Sequence, residues 1–162
     1  MIAQAISEDH KPDLPEEKAR IVNAGGRVFA VEYDDGVDGP SRVWLGHMDV
    51  PGLAMSRSVG DVVAHTAGVS TEPEFFVRKI GHADRFLVSA TDGLWEFMTD
   101  DEVVAMVAKI AMETGSPKAC VEALVEESNK RWMNNEQVID DTTIAVAFLS
   151  ADLVAAAAAE KK

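Results

Sequence analysis

Two apolar runs in this chain carry carboxylates at their ends, where a hard cation could be held. Phe86-Leu87-Val88-Ser89-Ala90-Thr91 is followed at once by Asp92 and Gly93. The second run, Thr143 to Leu149, is preceded by Asp140 and Asp141. If the runs are antiparallel neighbours, both acidic ends fall at one edge of one sheet. Carboxylates about 5 Å apart repel by ~3 kcal/mol at an effective dielectric near ~20. A divalent cation bound through oxygen removes that cost. Glu96 lies four residues after Asp92, and a helical turn there would bring it toward the same ion. The same residues also fit plainer roles. Asp-Gly is common turn chemistry, sheet edges carry solvated acids, and Glu96 suits the dipole at a helix N-terminus. Spacing alone leaves both readings open.

A second segment, Leu53-Ala54-Met55-Ser56-Arg57-Ser58-Val59-Gly60-Asp61, sets a guanidinium among small residues. Arg57 so placed suits bidentate contact with phosphate, and equally suits an internal pair with Asp61. Asp9-His10-Lys11-Pro12 reads as a structural turn, since nothing near it supplies a base–nucleophile pair. His47, His65 and His82 show no metal-ligand spacing. Cys120 falls on an apolar helix face and reads as core. No Gly-rich phosphate loop, dinucleotide fingerprint or nucleophile elbow is present.

The elements that must position these residues can be read from patterning. Met1 to Ser7 reads as a short apolar strand. Pro15 with Glu16 and Glu17 opens a helix through Val22, and Gly25-Gly26 ends it. Val28 to Val31 reads as a strand, Asp34 to Pro40 as an exposed turn or loop, and Arg42 to Leu45 as the returning strand. Residues 46–74 lack periodicity over a span too long for a plain connector, which predicts a functional loop or flap. Two strands are expected at Glu74 to Ile80 and Phe86 to Thr91. Thr99 with Glu102 makes a capping box for one helix. Ser116 and Pro117 start another, on which Val121, Leu124, Val125, Ser128 and Trp132 recur at helical spacing. Asn134-Asn135 stops it. Thr143 to Leu149 is the last strand, and the alanine-rich tail 151–162 is a frayed helix or disordered.

Composition limits the partners. The 162 residues make one domain-sized core. Acids outnumber bases 28 to 15, for a net charge of −13. That balance argues against nucleic acid and anionic membranes as partners. No apolar run approaches the length of a membrane span, and the opening Met1 to Ile6 is too short for a signal peptide. A single cysteine excludes an internal disulfide. Cytoplasm or nucleus is the expected setting.

Taken in order, several segments resemble the C-terminal half of the catalytic domain of type 2C serine/threonine protein phosphatases, the metal-dependent family. They are Asp9-His10-Lys11-Pro12, the Glu17 to Ile21 helix with Gly25-Gly26, Arg42-Val43-Trp44-Leu45, and Pro51 to Asp61. Gly68 to Glu74, Phe86 to Met98 and Asp140-Asp141-Thr142-Thr143 complete the series. The likeness covers about residues 5–149, within a phosphatase portion at 1–150. It implies an α+β fold, part of a four-layer α-β-β-α sandwich of antiparallel sheets flanked by helices. It implies two Mg²⁺ or Mn²⁺ ions per complete site, which activate a water to attack the phosphorus of a phosphoprotein. By position, Asp92 and Asp140 match metal-binding aspartates, and Glu96 falls where an acid lines a weaker third metal site. Gly93 and Asp141 are expected beside these ligands. Residues 26–61 match the flap, with Arg57 near its end as a substrate contact.

The sequence departs from the family chiefly in lacking its N-terminal half: Asp-Gly-His-Gly-Gly, the motif that supplies a bridging aspartate, occurs nowhere in it, and the early acidic ligand and phosphate-gripping arginine are missing too. The expected chain is therefore a C-terminal fragment, inactive or nearly so alone, whose partners include the missing N-terminal half or a second copy. The competing expectation is a non-catalytic phosphatase-like module that binds phosphoproteins or a partner phosphatase.

Overall fold

Whether an apolar run becomes a strand depends on whether a second run is there to pair with it. The computed structural model describes residues 1–33 and 36–160, and the chain divides into two units, Ile6–Val77 and Met1–Ala5 with Arg78–Lys162.

In the Ile6–Val77 unit, Pro15 presets the first turn of a helix, α1 (Pro15–Asn23). Its end is closed by Gly25 N–H to Val22 O and Gly26 N–H to Ile21 O, with Gly25 at φ 89°. Three antiparallel strands follow, β1 (Arg27–Tyr33), β2 (Gly36–Leu45) and β3 (Met48–Leu53), in that spatial order. Val28, Val43, Leu45 and Leu53 turn one sheet face onto Ile21, Ala64, Ala67 and Val69. A one-turn helix, α2 (Val62–His65), supplies Ala64. On the other face Phe29 and Trp44 stack at 5.1 Å. Gly52 lies beneath that indole, where a Cβ would stand 2.9 Å from the ring.

The second unit is built on two strands, β4 (Phe86–Ala90) and β5 (Ile144–Phe148), antiparallel with Phe86 opposite Phe148 and Ala90 opposite Ile144. Alternation turns Phe86, Val88, Ala90, Ile144, Val146 and Phe148 onto a helical core. That core comes from α3 (Asp92–Trp95), α4 (Asp100–Thr114), α5 (Pro117–Asn135) and α6 (Ala151–Glu160). The Thr99 capping box forms as the sequence predicts, and Ser116 Oγ accepts from Ala119 N. Leu94, Val103, Val107, Cys120 and Leu124 are fully buried. Mixed helices and antiparallel sheets make the chain α+β, as expected.

Four sequence expectations are corrected. Met1 to Ser7 and Glu74 to Ile80 are not strands. Neither run pairs in a ladder with any described strand, and in the second Phe75 and Val77 are 85% and 99% exposed. Strand propensity without a partner gives extended chain rather than a ladder. The loop expected over Asp34 to Pro40 is instead strand from Gly36 onward; Asp34 and Asp35 lie outside the described residues. The aperiodic stretch 46–74 contains β3 and α2. Pro51 and Gly52 break the strand pattern there, which an edge strand tolerates.

Candidate metal centre

The antiparallel register of β4 and β5 brings the two acidic ends together. Beyond the last ladder pair, Thr91 N donates to Thr143 O at 3.1 Å, and Thr143 N donates to Thr91 Oγ1 at 3.1 Å. Thr91 Oγ1 also donates to Asp141 O at 3.3 Å. Asp92, next along the chain, opens α3, whose first turn closes with Leu94 N to Thr91 O and Glu96 N to Asp92 O. Asp140 sits four positions before β5, and its Oδ1 accepts from Asp141 N at 2.8 Å while its carbonyl accepts from Thr142 Oγ1.

Gly93 is the hinge of this arrangement. A Cβ there would stand 2.4 Å from Thr142 Oγ1 and 2.6 Å from Asp141 O, so only glycine lets the chain after β4 approach the chain before β5. The Gly93 carbonyl accepts from Ser128 Oγ at 2.7 Å and from Trp132 Nε1 at 2.6 Å. Trp132 is braced edge-on by Phe97, with ring centroids 4.7 Å apart. Arg131 fixes the same stretch of α5 by bonding Phe97 O, Glu102 and Glu127. Arg131 first, then the Thr99 backbone and hydroxyl, pulls the Glu102 carboxyl down to about 2.

Asp92, Glu96, Asp140 and Asp141 are all exposed, and none makes a salt bridge among the described residues. Unpaired carboxylates are hard oxygen donors of the kind that Mg²⁺ and Mn²⁺ take, so the donor chemistry fits. Among the described residues, however, no group of three or more His, Cys, Asp or Glu is arranged to hold an ion.

Arg57, in the Ile6–Val77 unit, is engaged elsewhere than the sequence offered. Its Nη2 lies 2.6 Å from both Glu17 and Glu74, Nε bonds Glu17, and Nη1 donates to Glu72 O. The expected Asp61 pair gives way to Glu17, an acid on the buried face of α1 one turn before Ile21. Glu17 is 4% exposed and also bonds Arg20 Nη2 at 2.7 Å. The Arg20 guanidinium, with Arg57 adding, outweighs burial and holds the Glu17 carboxyl well below the usual range. Glu74 is likewise lowered, by His10 beside it and then by Arg57. Sequence reading missed Glu17, Ser128 and Trp132. Each had one signal, a polar group on an otherwise apolar helix face, which must find a partner when buried.

The comparisons with known proteins agree on one family. The family model "Protein phosphatase 2C" matches residues 2–136. "Probable protein phosphatase 2C 12" of Oryza sativa subsp. japonica is 40% identical over 97% of this chain and 39% of its own length. "Probable protein phosphatase 2C 52" of Arabidopsis thaliana is 37% identical over 92% of this chain and 31% of its own. The crystal structure of a serine-threonine phosphatase 2C from Toxoplasma gondii superposes with TM-score 0.70 at 26% identity, over 90% of this chain and 47% of that one. The chain thus spans about a third of the length of the curated relatives it matches.

Two outcomes follow from this geometry. Gly93→Ala should lose ~1–3 kcal/mol of stability, because the new Cβ meets backbone, the Asp141 carbonyl and Thr142 Cα, as well as Thr142 Oγ1; an unchanged urea midpoint would contradict the close approach. Glu17→Gln should cost ~1–3 kcal/mol at neutral pH, less than a fully buried pair because both guanidinia keep some water access. The folded Glu17 pKa is depressed, so this stability is complete above the ordinary carboxylate value near ~4.3 and is lost as pH falls toward the folded value. The stability gap between the two proteins should therefore narrow below about pH 4; a gap independent of pH would contradict the pairing.

Proposed function

Because the chain belongs to the protein phosphatase 2C family, we propose that it is the C-terminal portion of a metal-dependent serine/threonine phosphatase domain. In this reading it holds part of the active site and acts on phosphoproteins only when the remaining ligands are supplied. The observation that carries the reading is the convergence of Asp92 and the Asp140–Thr142 segment at one end of the β4–β5 sheet, locked by Gly93.

Asp92 and Asp140 are the proposed ligands of Mg²⁺ or Mn²⁺, two ions per complete site, with Glu96 toward a further ion. Bound metal would supply Lewis acidity and a water made nucleophilic near neutral pH. The chain's own contribution is to present carboxylates that pair with no counter-charge among the described residues. Asp141 contributes through its backbone, since its amide holds the Asp140 carboxylate and its carbonyl receives Thr91. Exposure of Asp92, Glu96 and Asp140 leaves them open to an ion and its waters.

Arg57 is the proposed substrate contact beside the flap portion, and its bonds to Glu17, Glu74 and Glu72 O support a positioned guanidinium there. The reading that the chain is incomplete is supported by the absence of Asp-Gly-His-Gly-Gly from the sequence and of a three-ligand cluster among the described residues. The β4–β5 face away from the helices carries Leu87, Ser89, Ala145 and Ala147 and no charge, which suits cover by further polypeptide. The same absence of a cluster favours, as a second reading, a phosphatase-like module that binds phosphoproteins or a partner phosphatase without catalysis.

A complementation assay separates them. The chain with Mn²⁺ should hydrolyse a phosphothreonine peptide no faster than buffer. Adding a polypeptide that carries the Asp-Gly-His-Gly-Gly half of a relative should give turnover that Asp92→Ala lowers by ~100-fold or more. No turnover in the mixture supports the binding module. Turnover by the chain alone that Asp92→Ala leaves unchanged contradicts both.

A further inference from the structure

The carbonyl next to Asp92 is held more firmly than a short helix can hold it. α3 has four residues, too few to satisfy its own carbonyls from within. Gly93 O is instead satisfied from outside, by two donors on successive turns of α5. Ser128 is 1% exposed, and Trp132 Nε1 makes the shorter of the two bonds. A helix serine that needs only a partner can bond back to its own preceding turn. Here Ser128 and Trp132 converge on one acceptor, using both of its lone pairs.

The donors stand on a fixed base. Cys120 and Leu124 anchor α5 at 0% exposure, and Arg131 ties it to Phe97 O and Glu102. On its other side Gly93 rests against Thr142 and the Asp141 carbonyl. The peptide that follows Asp92 is thus clamped between α5 and the chain that carries Asp140.

We propose that Ser128 and Trp132 are positioning residues for the Asp92 carboxylate: by sharing the Gly93 carbonyl they set the turn that presents Asp92 beside residues 140–142. The inference rests on Asp92 being a metal ligand, and extends that reading to side chains that no ion touches. Metal sites are sensitive to such outer contacts, whose loss typically weakens binding by ~10–100-fold.

The test uses the full chain with Ser128→Ala and Trp132→Phe, singly and together. Phenylalanine keeps the ring against Phe97 and deletes the N–H donor. Cys120→Ala is the control, since it loosens the same helix without touching Gly93. Two readouts are compared with thermal stability: amide hydrogen exchange at Leu94 and Glu96, and Mn²⁺ affinity by electron paramagnetic resonance. The double variant should exchange at least ~10-fold faster at those amides and bind Mn²⁺ ~10–100-fold more weakly. Cys120→Ala should lose thermal stability while both readouts stay at wild-type values. Wild-type exchange and affinity in the double variant overturn the proposal. So does an equal loss of affinity in Cys120→Ala, which would make the effect one of general stability. A wild-type chain that binds no Mn²⁺ contradicts the metal reading instead, and exchange at Leu94 and Glu96 then decides the positioning role alone.

Discussion

The close passage of Gly93 over Thr142 is the constraint on which the candidate site depends. A strand leaving a sheet can carry its next side chain in many directions. Here the choice is removed, because the peptide after Asp92 touches the Asp141 carbonyl on one side and receives two donors from α5 on the other. The β4–β5 ladder sets which residues face one another, Thr91 and Thr143 extend it past the last strand pair, and Gly93 closes it. Metal chemistry in this family needs carboxylates held against their own repulsion. A backbone locked at both ends of the pair resists that repulsion before any ion arrives.

A different logic governs the Ile6–Val77 unit. Glu17 is a buried carboxylate one turn before Ile21, stable there because Arg20 on the same helix and Arg57, forty positions on, both pair with it. Arg57 then extends to Glu72 O and Glu74, so one buried charge ties α1 to two stretches that have no ladder of their own. Such a network contributes order more than net stability, since desolvating the ions offsets much of their attraction. It explains how an irregular segment can keep a defined path with few strand bonds.

Much of this was legible in the sequence. Alternation marked β4 and β5, caps marked α4 and α5, and the acids at the strand ends marked the candidate site. Local signals failed where structure depends on partners. Met1 to Ser7 and Glu74 to Ile80 have strand composition, yet no described strand pairs with them in a ladder. β3 hid behind Pro51 and Gly52, which disrupt alternation but suit an edge. For Arg57 the sequence offered phosphate or Asp61 as partners and did not reveal Glu17, which it bonds from forty positions away. Ser128 and Trp132 stood on the apolar stripe of α5, but their common target is a backbone carbonyl, which no side-chain pattern reveals.

The central claim is that the ends of β4 and β5 form one cation site. Paramagnetic broadening of backbone amides on titrating the chain with Mn²⁺ tests it most directly. The account predicts that amides of residues 92–96 and 140–143 broaden first and together, and that Asp92→Ala removes the effect at both segments. Broadening that begins instead at other acidic stretches, such as Asp100-Asp101, or that survives Asp92→Ala, would contradict it.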